Sequence, residues 1–168
     1  MTSIFVEGMP LLTTTEEETL RNEWKTPDAL ADAITRRHEL ILDVAASFEN
    51  KKCFYFIPKE ADALLNPWEH DWWCNPPFDN ILAWVEHALR QKTRGVMLLP
   101  CRMNSDWMDV VVKSGVCDLQ FFRGRVQYEV PDPRIKKSSA GFHSMLIHFN
   151  SGGNNILPTL CPKTGVER

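Results

Sequence analysis

Short apolar runs alternate along the chain with stretches in which apolar residues return every three or four positions. The first run, Leu40-Ile41-Leu42-Asp43-Val44, is continuous except for one acid. That is the pattern of a strand buried on both faces, as in a parallel sheet. Residues 53–57, 72–74 and 95–99 read as further strands. Asn75-Pro76-Pro77 stops the third abruptly, because proline has no N–H to give to a ladder. Helical spacing falls between the strands. Thr26-Pro27-Asp28 predicts a helix start: a capping hydroxyl, proline in the first helical position and an acid in the first turn. Leu30, Ala33, Ile34 and Arg37 then follow at helical intervals. Asp79 can cap a helix to about Gln91, with Ile81, Leu82, Val85, Ala88 and Leu89 on its buried face. Asn104 or Ser105 can cap another through Val112. Residues 117–130 and 143–149 read as paired β-structure, joined by a loop rich in proline and lysine.

Strands alternating with helices, then a closing strand pair, predict an α/β fold. Its sheet would be doubly wound and mostly parallel, with an antiparallel strand near the C-terminal end. Ligands of such sheets sit beyond the carboxyl ends of the strands. Asp43 and Asn75 both fall at strand ends, so they are expected to face one crevice. The organisation read from the chain is an acidic arm at 1–23, one domain at 24–150 and a tail at 151–168. Thr15, followed three residues later by Glu18, offers a short helix start within the arm.

Composition narrows the function classes. The chain has 168 residues, 43% hydrophobic and 24% charged, which suits one globular domain. No apolar run reaches the ~18 residues of a membrane span, and the N-terminus lacks a basic leader pattern. A net charge of −3 argues against a purely electrostatic nucleic-acid binder. It leaves room for an enzyme with basic residues gathered on one face. Charge is in fact uneven: residues 1–30 carry a net −4 and residues 121–140 a net +3. The five cysteines contain no C-x-x-C pair, and the five histidines form no metal-ligand spacing. No metal is expected. Cys53, Cys74 and Cys117 read as small buried hydrophobes, and the implied compartment is a reducing cytoplasm.

The sharpest chemical signal is Asn75-Pro76-Pro77-Phe78. An exocyclic amine on a heteroaromatic base is a poor nucleophile, because its lone pair is delocalised into the ring. Acceptors that hold its two N–H groups make the nitrogen more tetrahedral. An asparagine side-chain oxygen and a proline carbonyl can supply them. Two prolines fix the backbone, and the aromatic ring offers a stacking face for a base turned out of its duplex. By itself the same tetrapeptide can also be no more than a strand end followed by a turn.

Several blocks, in order, resemble the phage-type DNA N-6-adenine methyltransferase family. They are Trp24-x-Thr26-Pro27; Leu42-Asp43-Val44-Ala45-Ala46-Ser47 with Glu49-Asn50; Ala61-Asp62-Ala63-Leu64 with Trp68; Cys74-Asn75-Pro76-Pro77-Phe78; and Arg123-Gly124-Arg125-Val126-Gln127-Tyr128 with Ser144-Met145-Leu146-Ile147. The resemblance spans about three-quarters of the chain. It implies a Rossmann-like methyltransferase fold and S-adenosylmethionine as methyl donor. The acceptor it implies is the amine of a flipped adenine in duplex DNA, in a phage or prophage setting. It also implies roles. Asn75 and the Pro76 carbonyl would hold the amine, Pro77 would shape the loop and Phe78 would stack on the base. Asp43, Ala45 and Ser47 would line the methionine end of the donor. Trp24, Thr26 and Pro27 would close over it, and Asp62 would meet its adenine. The chain departs from the usual pattern where Ala45-Ala46-Ser47 replace a glycine-rich loop. For the ribose hydroxyls, Glu49 and Glu60 both remain open.

Arg102, Arg123, Arg125, Lys136 and Lys137 are the candidates for DNA phosphates. Trp68, Trp72, Trp73, Trp84 and Trp107 read as core, and His143 and His148 as edge or satisfied core residues. Asp43 can also be read as an ordinary strand-end cap. Two rival functions keep the sequence pattern. One is the same fold acting on RNA adenine or protein glutamine. The other is a decayed methyltransferase that only binds DNA.

Overall fold

A computed structural model of the chain describes residue 15 and residues 24–130, 141–153 and 155–167. Its element order is α1 (Asp28–Arg37), β1 (Leu42–Ala46), β2 (Tyr55–Pro58), β3 (Trp72–Cys74), α2 (Ile81–Arg90), β4 (Gly95–Pro100), α3 (Asp106–Ser114), β5 (Cys117–Phe122), β6 (Ser144–Phe149) and β7 (Ile156–Leu160). Short 3-10 turns at Lys59–Ala61, Ala63–Leu65 and Phe78–Asn80 fill the connections.

The strands form one sheet in the order β2-β1-β3-β4-β6-β5-β7. All neighbours are parallel except β6, which runs antiparallel to both β4 and β5. This is the predicted doubly wound sheet with its one reversed strand. Alternate residues of each strand enter opposite cores. Trp73, Val96, Leu98 and Leu146 meet Leu30 and Ile34 of α1 on one face. Trp72, Cys74, Met97, Leu99, Met145 and Ile147 meet Val85 and Ala88 of α2 and Val111 of α3 on the other. Trp72 is accommodated because residue 95 is glycine. A Cβ there would stand 2.0 Å from the indole ring.

Five local readings change. Thr26 does not cap α1: Pro27 occupies the cap position, no side chain bonds the helix start, and the Thr26 hydroxyl is left over. Asp79 lies inside a 3-10 turn and Asn80 precedes α2, again with no side-chain cap. Ser105 precedes α3, but its hydroxyl donates to the Arg102 carbonyl instead (2.7 Å). Residues 123–130 are not a strand. β5 ends at Phe122, and the segment beyond it buries Val126 and Tyr128 before bridging Glu129 to Lys25. Finally, Ile156–Leu160 adds a seventh strand beside β5, in the segment read as a tail. The alternation of β7 was masked by Pro158 and by the exposure of Ile156 on an edge strand.

Trp68, Trp72, Trp73 and Trp107 are buried, as read from sequence. Cys74 and Cys117 are buried and Cys53 is half-buried, and all three are free thiols. No helix among the described residues is long and apolar enough to cross a membrane.

Candidate active site

The carboxyl ends of β1, β2 and β3 open into one cleft of about 1060 Å³. That is at the upper end of small-ligand sites, with room for more than one ring system. Trp24, Thr26, Asp43, Ala45, Ser47, Asp62, Asn75 and Pro77 all line it. Eight of the sequence candidates, drawn from residues 24 to 77, thus meet in one space. Pro76 is buried behind the wall, and Pro27 and Phe78 stand beside the cleft without lining it. Thr15, from the segment read as an acidic arm, also reaches the lining.

The loop after β1 is organised by Asp43. Its Oδ1 accepts from the Ala45 N–H (3.2 Å) and its Oδ2 from the Lys52 N–H (2.9 Å). The Ser47 N–H is held by Asn50 Oδ1 (2.6 Å). The strand-end reading of Asp43 and its place in the cleft therefore coexist: the carboxylate shapes the rim and also faces the cavity. Burial raises its pKa to about 6, against the lowering effect of those two N–H donors. Asp62 sits on the opposite rim with a positive φ of 46°, and its carboxylate accepts from the Leu64 N–H (3.1 Å). Such a conformation is costly for a non-glycine residue, and this short side-chain bond helps hold it. Glu49 lines the cleft whereas Glu60 does not. The backbone N–H of Glu49 itself, and then the Ser47 side chain, hold the Glu49 carboxyl below the ordinary range.

Asn75 follows the last residue of β3. Its Nδ2 donates to the Trp24 carbonyl at 3.1 Å. A carbonyl can only accept, so that bond fixes the amide orientation. Oδ1 is thereby left buried with no partner among the described residues. Trp24 Nε1 and Thr26 Oγ1 are in the same condition. Buried polar atoms are nearly always bonded; a fourth such atom, Trp72 Nε1, lies in the core, whereas these three belong to residues that line the cleft.

Phe78 is packed edge-on to Phe142 (5.6 Å, 82°) and Tyr128 (6.4 Å, 82°). Trp24 stacks on Phe142 (6.2 Å, 18°) and leans on Tyr128 (5.7 Å, 36°). The four rings make a rigid wall beside Asn75. Two backbone bonds tie the wall to the N-terminal segment: Lys25 N–H to the Glu129 carbonyl (3.0 Å) and Glu129 N–H to the Lys25 carbonyl (2.9 Å). The participation of Phe142 and Tyr128 was not visible in the sequence. They lie 50 residues or more from Asn75 in the chain and join it only through the sheet.

Sequence reasoning also missed Lys52, Asn50, Lys59, Asp79 and Trp84 in the lining. Trp84, read only as core, leans on Trp68 at 6.2 Å and presents part of its surface to the cleft. For Lys52 the available signal was its place in the β1–β2 loop, where short loops beyond strand ends carry function. Among the phosphate candidates, Arg102 follows β4, and Arg123 and Arg125 follow β5. All three are exposed. β3, β4 and β5 run in the same direction, so these arginines lie along the sheet edge that carries Asn75. Lys136 and Lys137 lie outside the described residues. The described residues contain no group of acids, histidines and cysteines able to hold a metal ion. His148 is a satisfied core residue, bonded through Nε2 to Gln120 Oε1 (2.9 Å), while His143 is exposed at the start of β6.

A six-parallel, one-reversed sheet with an Asn-Pro-Pro-Phe turn at its cleft defines a Rossmann-like methyltransferase fold. The sequence profile of the DNA N-6-adenine-methyltransferase (Dam) family matches residues 13–157. The chain belongs to that family. A DNA N-6-adenine-methyltransferase of Escherichia phage T1 is 31% identical over 108 residues, covering 61% of this chain and 45% of the relative. The chain thus spans about half the length of the phage protein.

Proposed function

We propose that the protein is a site-specific DNA adenine-N6 methyltransferase that uses S-adenosylmethionine. The observation that carries the reading is the buried Oδ1 of Asn75, without a partner among the described residues, at the mouth of the turn after β3. An asparagine held by its nitrogen presents an acceptor, which calls for a donor on the ligand, and an amine N–H is such a donor. In this reading Asn75 Oδ1 takes one N–H of the adenine amine and the Pro76 carbonyl takes the other. Held at two points, the nitrogen becomes pyramidal and its lone pair is aimed. Phe78, braced by Phe142 and Tyr128, gives the flipped base an edge or face to rest on.

The remaining cleft suits the donor. Its lining combines unpaired donors (Trp24 Nε1, Thr26 Oγ1) with acids (Asp43, Asp62) and aliphatic walls (Val44, Ile57). S-adenosylmethionine, when bound, supplies a methyl group made electrophilic by a sulfonium. Asp43, Ala45 and Ser47 would line its amino-acid end, Asp62 would face its adenine, and Trp24, Thr26 and Pro27 would cover it. Of the two acids open for the ribose, Glu49 is favoured by its position on the cleft. Arg102, Arg123, Arg125, Lys136 and Lys137 would meet phosphates of double-stranded DNA in a bacterial cytoplasm.

The test offers labelled S-adenosylmethionine with unmethylated duplex DNA, RNA or a glutamine peptide, followed by mass spectrometry of the product. N6-methyladenine in the DNA digest is the expected result. Label found only in RNA or peptide, or in none of the three, contradicts the reading.

A further inference from the structure

Lys52 is an unusual lining residue. It stands in the loop between β1 and β2, and its side chain is only 9% exposed. An ammonium removed from water is costly unless it is paired. Its Nζ donates to Asp28 Oδ1 on the first turn of α1, and Asp28 itself is 79% exposed. An ammonium carries three N–H donors. Among the described residues Asp28 takes one, and two are left for the cleft. Two residues before Asp28, Thr26 is buried at 1% exposure and lines the same cleft, and its hydroxyl has no partner among the described residues. The Asp28–Lys52 pair therefore pins a cation beside an orphaned hydroxyl donor.

Asp43 completes the pattern. Its Oδ2 is bonded to the backbone N–H of Lys52, yet the two side chains do not pair with each other. An acid of β1 and a base of the loop that follows it thus line one cleft, joined through the Lys52 backbone N–H. Lys52 is close enough to draw the Asp43 carboxyl down against the effect of burial, but no direct side-chain ion pair joins them among the described residues, so each keeps capacity for a ligand of opposite sign. A zwitterion matches both: an ammonium toward Asp43 and a two-oxygen anion toward Lys52 and Thr26.

We infer that Lys52 and Thr26 form a carboxylate subsite that binds the α-carboxylate of an amino-acid tail, and that Asp28 holds Lys52 in place for it. The inference rests on the donor reading above, since the tail in question is that of S-adenosylmethionine. It names the subsite by chemistry that a phosphate of nucleic acid would share, so the test separates the two sources.

The test is calorimetric binding of S-adenosylhomocysteine and of 5′-methylthioadenosine, which lacks the amino-acid tail. Wild type is expected to bind the first more tightly. Lys52→Met is expected to weaken S-adenosylhomocysteine about tenfold or more, the loss of a charge-assisted bond, and to leave methylthioadenosine within about twofold. Lys52→Arg keeps most of the affinity. Thr26→Val weakens S-adenosylhomocysteine by a smaller factor and raises the melting temperature of the free protein, because it removes a buried polar atom that has no partner. If Lys52→Met does not fold, Thr26→Val carries the same comparison. Equal losses for both ligands, or no loss for either, overturn the subsite. So does a Lys52→Met protein that loses duplex DNA affinity but not S-adenosylhomocysteine, which assigns the pair to a phosphate. A wild type that binds neither nucleoside overturns the donor reading itself, and the subsite with it.

Discussion

The two ends of the sheet hold buried polar groups in opposite states. At the amino end of β5, Asp118 accepts from Ser151 Oγ (2.6 Å), the Asn155 N–H (2.9 Å) and Asn155 Nδ2 (2.9 Å). Next to it His148 bonds Gln120, whose own Nε2 donates to the Pro158 carbonyl (2.8 Å). Burial works to raise the Asp118 carboxyl, but those hydrogen bonds outweigh it and hold it below the usual range. In the cleft beyond the carboxyl ends of β1 and β3, by contrast, Asn75, Thr26 and Trp24 each keep a buried atom without a partner among the described residues. Both ends are polar and enclosed. The satisfied network ties β7, Ser151 and Asn155 to the sheet, while the unsatisfied atoms are those assigned to a ligand in the proposed function.

That contrast can be broken by substitution, and the largest effect belongs to the cleft. Asn75→Ala removes the amine acceptor and is expected to lower single-turnover methyl transfer by about 10²–10³ or more, with S-adenosylhomocysteine affinity within a few fold. Retained turnover would remove Asn75 from the chemistry. Asp118→Ala should do the reverse. It strands three donors and is expected to cost about 3 kcal/mol of unfolding free energy in urea titration, while ligand affinity of the folded protein is unchanged.

Protons sharpen the comparison. The Asp43 pKa is raised from 3.8 to about 6. Between those values the folded state keeps a proton that the unfolded chain has lost, so this group lowers stability as pH rises through the window. The shift corresponds to about 3 kcal/mol at about 1.4 kcal/mol per unit. Burial, helped by His38, pushes the His148 pKa from 6.5 down to about 4. There the unfolded chain takes a proton that the folded state refuses. Stability is therefore lost as pH falls from 6.5 toward 4, by a similar amount. Burial lowers His38 as well, in the same sense. The two ends thus oppose each other between about pH 4 and 6. Asp43→Asn should steepen the loss of stability on acidification, and His148→Gln should reverse or flatten it, in urea titrations at three pH values. Parallel slopes for the two variants would contradict these assignments.

The smallest effect concerns the exposed arginines. Replacing Arg123 or Arg125 by alanine should weaken DNA binding uniformly across sequences and reduce the salt slope by about one each. An unchanged slope would remove that residue from the phosphate contacts.

Much of this was legible in the chain. The apolar runs of β1, β3 and β4 and the Asn-Pro-Pro stop fixed the direction of the sheet and placed Asp43 and Asn75 on one side of it. Eight lining residues followed from ordered motifs. What stayed hidden was non-local. The Phe142–Tyr128–Trp24 wall depends on chain crossings, not on spacing. Lys52 had only its place in the loop after β1 to mark it, and its pairing with Asp28 is visible only in the fold. Thr26 illustrates the limit of local rules. The pattern Thr-Pro-Asp has the form of a helix cap, yet Pro27 takes the cap position and the hydroxyl turns to the cleft. The local rule failed at a residue that lines the candidate site, where such rules are most often broken.

The most direct test of the two-ended account is amide hydrogen exchange with and without saturating S-adenosylhomocysteine. The account predicts added protection in peptides covering residues 24–27, 43–52, 57–63 and 75–79, and no change at 117–120 or 148–155. Protection centred on the Asp118–His148 end, or spread evenly over both ends, would contradict it.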